Sequence, residues 1–587
     1  MFNLADGGFA SSSKVIALEN DKYPDVIEFS GIKFADSERL RSPVMITDYA
    51  DADFSNLGFS CATVSSVLTG SESLPVETPT IEDCLYIRIW MKKAAMMNGE
   101  TKKVVSWIHG GTFNYGGVDT IYEHPNKLVD EHDLIVAKMN YRLGPFGNWY
   151  FPLNIGGQPK GGLSIQDQRM GMAWIKNNIA KFNGDAADIT LAGASSGAMS
   201  VMVHMTSPAS HDLFNNGLSI GAPQIVFWTE AEAAMAYGYI TTDVLQCTTA
   251  DDFVADAISG ALLTCLQAIP LEQFQAATLA GGAIFQFIAT EANHLSQLEQ
   301  IFALNIDGDV VTTNPRDALL AKSADVKSDM GFYLHEISAN EGTSMTENLF
   351  ASQSFKETLY GDDYATLFQE FNAHITVPKP AHDGIMAVLY ETAGEAFVAA
   401  LLGEDALGCE NPVENDPYGG LLTECKASTA DWISTWIWTC NTRNFLIPFV
   451  GDSLIPNMYV NQMSAAKPGP DHLQPGVMLP DQAQSQDCYE AGGEKSCHII
   501  GESYLFGEAE NQNIAQTTEE AAFGVAYRAA YADLIKNGVA QTSGFLTWTE
   551  SAGEFNEIDI GSVLASTTNP YPVVCALFDG IAAYGSI

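Results

Sequence analysis

Apolar and polar positions along the first half of the chain predict strands and helices in turn. In "KKVVSWIHGG" (102–111) two lysines give way to a β-branched and aromatic run that ends in paired glycines, which predicts a buried strand running into a loop. "DLIVAKMNYR" (133–142) predicts another strand. Ile165, Met170, Trp174, Ile175, Ile179 and Phe182 recur at helical spacing, so 165–182 predicts an amphipathic helix. "DITLAG" (188–193) is then a strand and "GAMSVMVHMTS" (197–207) a helix. "GFYLHEI" (331–337) predicts a further strand, followed by the polar turn "SANEGTS". Such alternation implies a mostly parallel sheet covered by helices on both faces, an α/β architecture. Two stretches rich in Gly, Pro, Asp and Cys, 403–428 and 464–497, predict loop insertions. Candidate chemistry lies on both sides of each, so residues 1–587 are expected to form a single domain.

The junction of the third of these strands and its helix carries "GASSG", Gly193 to Gly197. A strand that turns into a helix within about two residues holds the middle residue in strained geometry and has no room for side chains two positions away. Gly193 and Gly197 meet that need and leave Ser195 exposed as a nucleophile at a helix N-terminus, where negative charge is favoured. A tight crossing of small residues would explain the glycines but not the serine between them. "HGGTF" (109–113) follows a strand directly, as a loop whose N–H groups converge on an oxyanion would; a simple tight turn accounts for the same letters. A serine nucleophile needs a histidine base and a carboxylate to orient it. Of eleven histidines, His498 in "SCHIIGESYLFG" stands out for its place far downstream, next to Cys497. Glu341, in the turn after the 331–337 strand, is better placed than Glu336 within that strand. The chain order Ser, acid, His is that of α/β-hydrolases.

Composition narrows the partners. The chain has 587 residues, 46% of them hydrophobic, ample for a large core, yet no apolar run reaches the ~18 residues of a membrane span. With 28 Lys+Arg against 72 Asp+Glu the formal charge is −44, which disfavours nucleic acid and anionic lipid as partners. That surface suits either salt adaptation or plain solubility. "MFNLADGGFA" has no basic stretch leading into an apolar one, so a secretory signal is not expected within this chain. The ten cysteines are even in number, mostly in neighbouring pairs, and never in CxxC spacing, which points to structural bridges in an oxidising compartment, secreted or periplasmic.

Taken together, the motifs resemble the type-B carboxylesterase/cholinesterase family over roughly residues 25–580. "TIEDCLYIRIW" (80–90) is similar to its "EDCLYLNVW" signature, "VVSWIHGGTFNYG" to its oxyanion segment and "MNYRLGPFG" to its "NYRLGxxGF". "QDQRMGMAWIKNNIAKFNGDAADITLAGASSGA" resembles the segment around the nucleophile, "ANEGTS" the acid turn and "CHIIGESYLFG" the histidine segment. The resemblance implies an α/β-hydrolase fold, with Ser195 as nucleophile, Glu341 as acid and His498 as base. It implies oxyanion donors at the N–H groups of Gly111, Thr112 and Ser196, and no metal or organic cofactor. It also implies the bridges Cys61–Cys84, Cys247–Cys265, Cys440–Cys575 and Cys488–Cys497, which leaves Cys409 with Cys425. Phe227 and Trp228 fall where family members build the acyl-pocket wall, though both rings could equally be ordinary core. Several positions depart from the family pattern: Thr112 for its third oxyanion glycine, Ala194 for the Glu before the nucleophile, Ala222 for the Ser of its "SGSP" segment, and Ile499 for the Gly after the histidine.

The expected activity is therefore hydrolysis of small carboxylic esters, short-to-medium in acyl length, through an acyl-enzyme. A lipase or sterol esterase is the alternative, but the stretch from Cys61 to Cys84 is short and mostly polar for a lid. The same stretch has no aromatic residue to cradle a quaternary ammonium, which disfavours a cholinesterase. A non-catalytic binding protein of the neuroligin kind would lack the nucleophile, whereas Ser195, Glu341 and His498 are all present.

Overall fold

The computed structural model describes residues 18–47, 49, 57–63, 78–120, 123–155, 158–222, 227–278, 304–338, 441–463, 500–512, 518–538, 547, 556–559 and 562–565. Glu341, His498, both expected loop insertions and Cys409, Cys425, Cys440, Cys488, Cys497 and Cys575 lie outside these residues.

Its core is a sheet of β1 (Leu18–Glu19), β2 (Val26–Lys33), β3 (Tyr86–Lys92), β4 (Lys102–Ile108), β5 (Ile135–Met139), β6 (Gly184–Ala194), β7 (Asn216–Ile220), β8 (Tyr333–Ser338), β9 (Met458–Met463), β10 (Asn556–Asp559) and β11 (Ser562–Ala565). The spatial order is β1-β2-β3-β5-β4-β6-β7-β8-β9-β10-β11. Every pairing from β5 through β10 is parallel, whereas β1, β2, β3 and β11 join antiparallel at the two ends. With helices on both faces, this is the α/β-hydrolase architecture.

The pleat sorts side chains between two cores. Val104 and Ile108 of β4 point to one face with Ile189 and Leu191 of β6, while Val105 and Trp107 point to the other with Ala192 and Ala194. The first face is covered by α2 (Leu163–Asn178) and α3 (Ser196–Met205), the second by α1 (Asn126–His132), α4 (Ile500–Phe506) and α5 (Thr518–Asn537). Burial on both faces is why β4 and β5 carry apolar residues on both sides rather than in strict alternation, broken within the buried stretch by Ser106 and Lys138.

The expected 165–182 helix is α2 plus a separate 3-10 turn, Ile179–Phe182, closed by Asn183 at φ 59°. Here the chain must turn back into β6, which starts four residues earlier than expected, at Gly184. A β-carbon there would lie 2.5 Å from Ile179 Cγ1, so the turn packs directly on the strand.

A fully buried pair ties α2 to the loop after β5. Arg142 Nε and Nη2 each donate to Asp167 at 2.7 Å, and the Arg142 amide donates to the same carboxylate at 3.0 Å. Removing one partner from such a pair would strand a buried charge, at about 3–5 kcal/mol. Two disulfides are formed among the described residues, Cys61–Cys84 and Cys247–Cys265.

Candidate active site

At the end of β6 the chain enters α3 through a single residue. Ser195 has φ 53° and ψ −121°, left-handed backbone that a non-glycine residue adopts only when its surroundings enforce it. Its amide donates to the Ile220 carbonyl on β7 at 2.9 Å, and its own carbonyl accepts from Met199 at 3.0 Å. One bond continues the sheet and the other begins the helix, so the residue between them is wedged.

The two glycines beside it are sterically required. A β-carbon at Gly193 would sit 2.5 Å from the Gly197 carbonyl carbon and 2.8 Å from the Ile108 oxygen. At Gly197 it would be 2.1 Å from the Ile108 oxygen and 2.8 Å from that of His109. The elbow is thus pressed against the C-terminal end of β4, where the glycine-rich turn begins.

That turn runs through three successive positive φ angles, 108° at Gly111, 52° at Thr112 and 62° at Phe113. A β-carbon at Gly111 would fall 2.1 Å from the Tyr115 carbonyl oxygen. The turn's carbonyls are engaged in sequence. Tyr141 donates its hydroxyl to His109 O at 2.9 Å, and His109 Nδ1 donates to Gly110 O at 2.7 Å. The amides of Asn114 and Tyr115 donate to Gly111 O, Asn114 Nδ2 donates to Thr112 O, and the Gly144 amide donates to Phe113 O. Among the described residues, no bond uses the N–H groups of Gly111, Thr112 or Ser196 as donors. Gly110 brings this turn to the nucleophile position, since a β-carbon there would lie 3.2 Å from Ser195 Cβ. With its carbonyls tied back and these amides left over, the turn has the chemistry to receive an anion beside a serine.

Thr112 holds φ 52° with a β-branched side chain, a conformation that favours glycine and strains threonine. Ala194 and Ala222 are both fully buried, in the cores on opposite faces of the sheet. Phe227 is buried in the core that covers α2 and α3, and Trp228 in a separate cluster with Trp149 and Tyr237.

The histidines inside the described region have other work. His109 stacks on Tyr141 at 4.3 Å, and burial pushes its pKa down to about 4. His204 lies between Ser210 and Gln168, His211 bonds Met205 O, and His335 bonds the Tyr333 hydroxyl. Glu336 is buried on β8 and accepts from the hydroxyls of Tyr527 and Tyr531. Close to the glycine-rich turn, Lys138 pairs with Glu123 at 2.7 Å, and Trp107 Nε1 donates to the same carboxylate at 3.3 Å. Burial and the neighbouring Glu123 push the Glu502 carboxyl beside this pair well above the ordinary carboxylate range. Local sequence reading missed this cluster, because its members are scattered over almost 400 residues.

A model of the Carboxylesterase family matches residues 14–394. Cholinesterase 1 of Branchiostoma lanceolatum is 35% identical over 160 residues, covering 27% of this chain and 43% of that protein. Esterase FE4 of Myzus persicae is 33% identical over 170 residues, 29% of each chain. Bile salt-activated lipase of Rattus norvegicus is 28% identical over 253 residues, 42% of this chain and 40% of that one. The chain thus spans less than half the length of each of these relatives. Since the family model covers more than half of the sequence and includes both the elbow and the glycine-rich turn, the chain belongs to the carboxylesterase family.

Proposed function

We propose that this protein hydrolyses carboxylic esters through an acyl-enzyme, with Ser195 as nucleophile, His498 as base and Glu341 as the carboxylate that orients it. His498 takes the Ser195 hydroxyl proton as Oγ attacks the ester carbonyl carbon. The resulting oxyanion accepts from the N–H groups of Gly111, Thr112 and Ser196. Collapse expels the alcohol, which leaves with the proton from His498; water then attacks the acyl-enzyme by the same route and frees the acid. No metal or organic cofactor enters these steps.

The observation that carries this reading is the backbone of Ser195. Strain of φ 53° at a non-glycine residue costs on the order of 1–3 kcal/mol, and here it holds a serine beside a turn with spare amides. A structural crossing would reach the same path with glycine at lower cost. The relatives' names span cholinesterase, esterase and lipase, so family membership leaves the ester open. We read the acyl preference as short-to-medium and the protein as secreted or periplasmic. Two disulfides agree with that compartment, and among the described residues no helix is long and apolar enough to cross a membrane.

Fluorophosphonate labelling followed by peptide mapping, with p-nitrophenyl butyrate turnover alongside, tests the assignment. Wild type should label at Ser195, and Ser195→Ala should lose about 10⁴-fold in kcat while keeping its melting temperature. Retention of more than about one percent of activity would sink it.

A further inference from the structure

Glu336 is 1% exposed, on the face of β8 that packs under α5. Its Oε1 accepts from the Tyr527 hydroxyl at 2.8 Å and its Oε2 from the Tyr531 hydroxyl. The two rings, four residues apart on α5, stack with centroids 4.4 Å apart. Asn461 Nδ2 donates to the Tyr531 oxygen at 3.2 Å, and Asn556 Nδ2 donates to Asn461 Oδ1 at 3.1 Å. Ladder register explains the alignment: Ala194, Ile220, Glu336, Asn461 and Asn556 are lateral neighbours across β6 to β10. The polar row therefore lies at the level of the residue that precedes Ser195.

A second element rests on the same carboxylate. A β-carbon at Gly501 of α4 would lie 1.9 Å from Glu336 Oε1 and 2.7 Å from the Tyr527 oxygen, so the helix backbone seats directly on this group. Along the chain, Glu341 follows Glu336 by five residues, and His498 precedes Gly501 by three.

We propose that Glu336 is a positioning residue for the reaction: clasped by Tyr527 and Tyr531 and seated against Gly501, it fixes together the segments that carry the acid and the histidine. The proposal rests on the ester-hydrolase reading above. A buried carboxylate costs several kcal/mol in lost hydration unless hydrogen bonds replace it, and a packed apolar residue avoids that cost. Filling space is therefore a poor account of this position. Burial, reinforced by the Glu336 charge, pushes both phenols well above the ordinary tyrosine range, so both stay O–H donors. The clasp is then a directional one, with two donors on α5 and two acceptor oxygens on β8.

The test uses the full chain as Glu336→Gln, Tyr531→Phe and the double variant. Titration with a fluorophosphonate counts active sites, so that kcat is expressed per titrated site. Both single variants should lose about tenfold or more in kcat per site with KM within about threefold, since small misplacement of catalytic groups costs rate rather than binding. The double variant should fall no further than the worse single one, because both changes open the same clasp. Hydrogen exchange is the second readout: amides in peptides spanning 333–338 and 500–506, the elements next to the acid and the histidine in sequence, should exchange faster in each variant than in wild type. If kcat per site matched wild type while only the number of sites fell, Glu336 would be structural and the proposal overturned. Unchanged exchange in both peptides overturns it as well. Should wild type neither label nor turn over, the ester-hydrolase reading falls, and the exchange comparison still decides the clasp. Tyr531→Phe carries the test if Glu336→Gln does not fold.

Discussion

Gly197 lies against the last residue of β4 so closely that a β-carbon on it would be 2.1 Å from the Ile108 carbonyl oxygen. The elbow that presents Ser195 and the turn that offers its amides are therefore one packed unit. Backbone meets backbone here, and no rotamer change can relieve a clash. Gly197→Ala is expected to cost at least the roughly 1–3 kcal/mol typical of overpacking and to displace Ser195 from Gly111 and Thr112. Denaturant unfolding should show the loss, and fluorophosphonate labelling should slow about a hundredfold. An alanine variant with wild-type stability and labelling rate would refute the contact.

Thr112 offers the opposite experiment. It holds φ 52° with a β-branched side chain, strain on the order of 1–3 kcal/mol, against about 0.5–1 kcal/mol of extra chain entropy for glycine. The Asn114 bond to the Thr112 carbonyl, at 3.0 Å, survives the change. Thr112→Gly should therefore leave stability unchanged or raise it by about 1 kcal/mol, and kcat should hold or rise because the donor is a backbone amide. A tenfold fall in kcat at unchanged stability would mean that the threonine side chain itself serves the reaction.

How much of this could be read from letters depends on whether each constraint is local. β4 and β6 are legible because burial on both faces leaves apolar runs, and the elbow because steric need writes glycine at two fixed positions. β9, "MYVNQM", carries no such run, since Asn461 faces the polar row beneath α5 and breaks the pattern. β2, "VIEFSGIK", is interrupted by Ser30 and Gly31 where its register with β3 shifts. Glu336 illustrates the limit most clearly. Sequence position set it aside as the acid because it sits within a strand, but what holds it, Tyr527 and Tyr531, lies about 190 residues downstream. No local pattern connects them. Ser195 and the glycine-rich turn lie among the described residues, whereas Glu341 and His498 rest on motif and chain order alone.

Acid stability should carry the mark of buried histidines. Burial lowers His335 and His109 to about 4 in the folded protein, below the ordinary value near 6.5. Unfolded chains therefore take up these protons first as pH falls through 6.5, and each histidine removes about 1.4 kcal/mol of stability per pH unit down to about pH 4. Asp307 acts in the other direction. Burial raises it to about 6, so between 3.8 and 6 the folded state binds the extra proton and gains stability on acidification. His335→Gln leaves that opposing contribution in place and deletes one histidine from the balance. Urea unfolding at pH 6.5, 5.5 and 4.5 should show a decline shallower than wild type by about 1.4 kcal/mol per unit. Identical slopes would mean that His335 is already charged in the fold.

Acyl length is the remaining question, and it turns on two rings and a bridge. The Cys61–Cys84 disulfide closes a loop of 23 residues' separation, short and mostly polar beside the mobile apolar lid that a lipase acting at oil interfaces needs. Phe227 and Trp228 are 3% and 1% exposed, and they stand where the family resemblance sets the acyl-pocket wall. Fixed bulky rings at that wall would cap the depth available to a fatty chain. Hydrolysis of p-nitrophenyl esters is accordingly expected to peak in kcat/KM at about two to six acyl carbons and to fall beyond, because each further methylene meets packed aromatic atoms instead of gaining the ~0.8 kcal/mol of burial. Phe227→Ala separates the wall from ordinary core. If the ring lines the pocket, the optimum should move toward longer chains, by up to about fourfold in kcat/KM for each methylene newly accommodated. A core ring would instead lower stability by about 3–5 kcal/mol and leave the chain-length profile in place. An optimum at ten carbons or more in wild type, with activation at an oil–water interface, would overturn the short-acyl reading and make the protein a lipase.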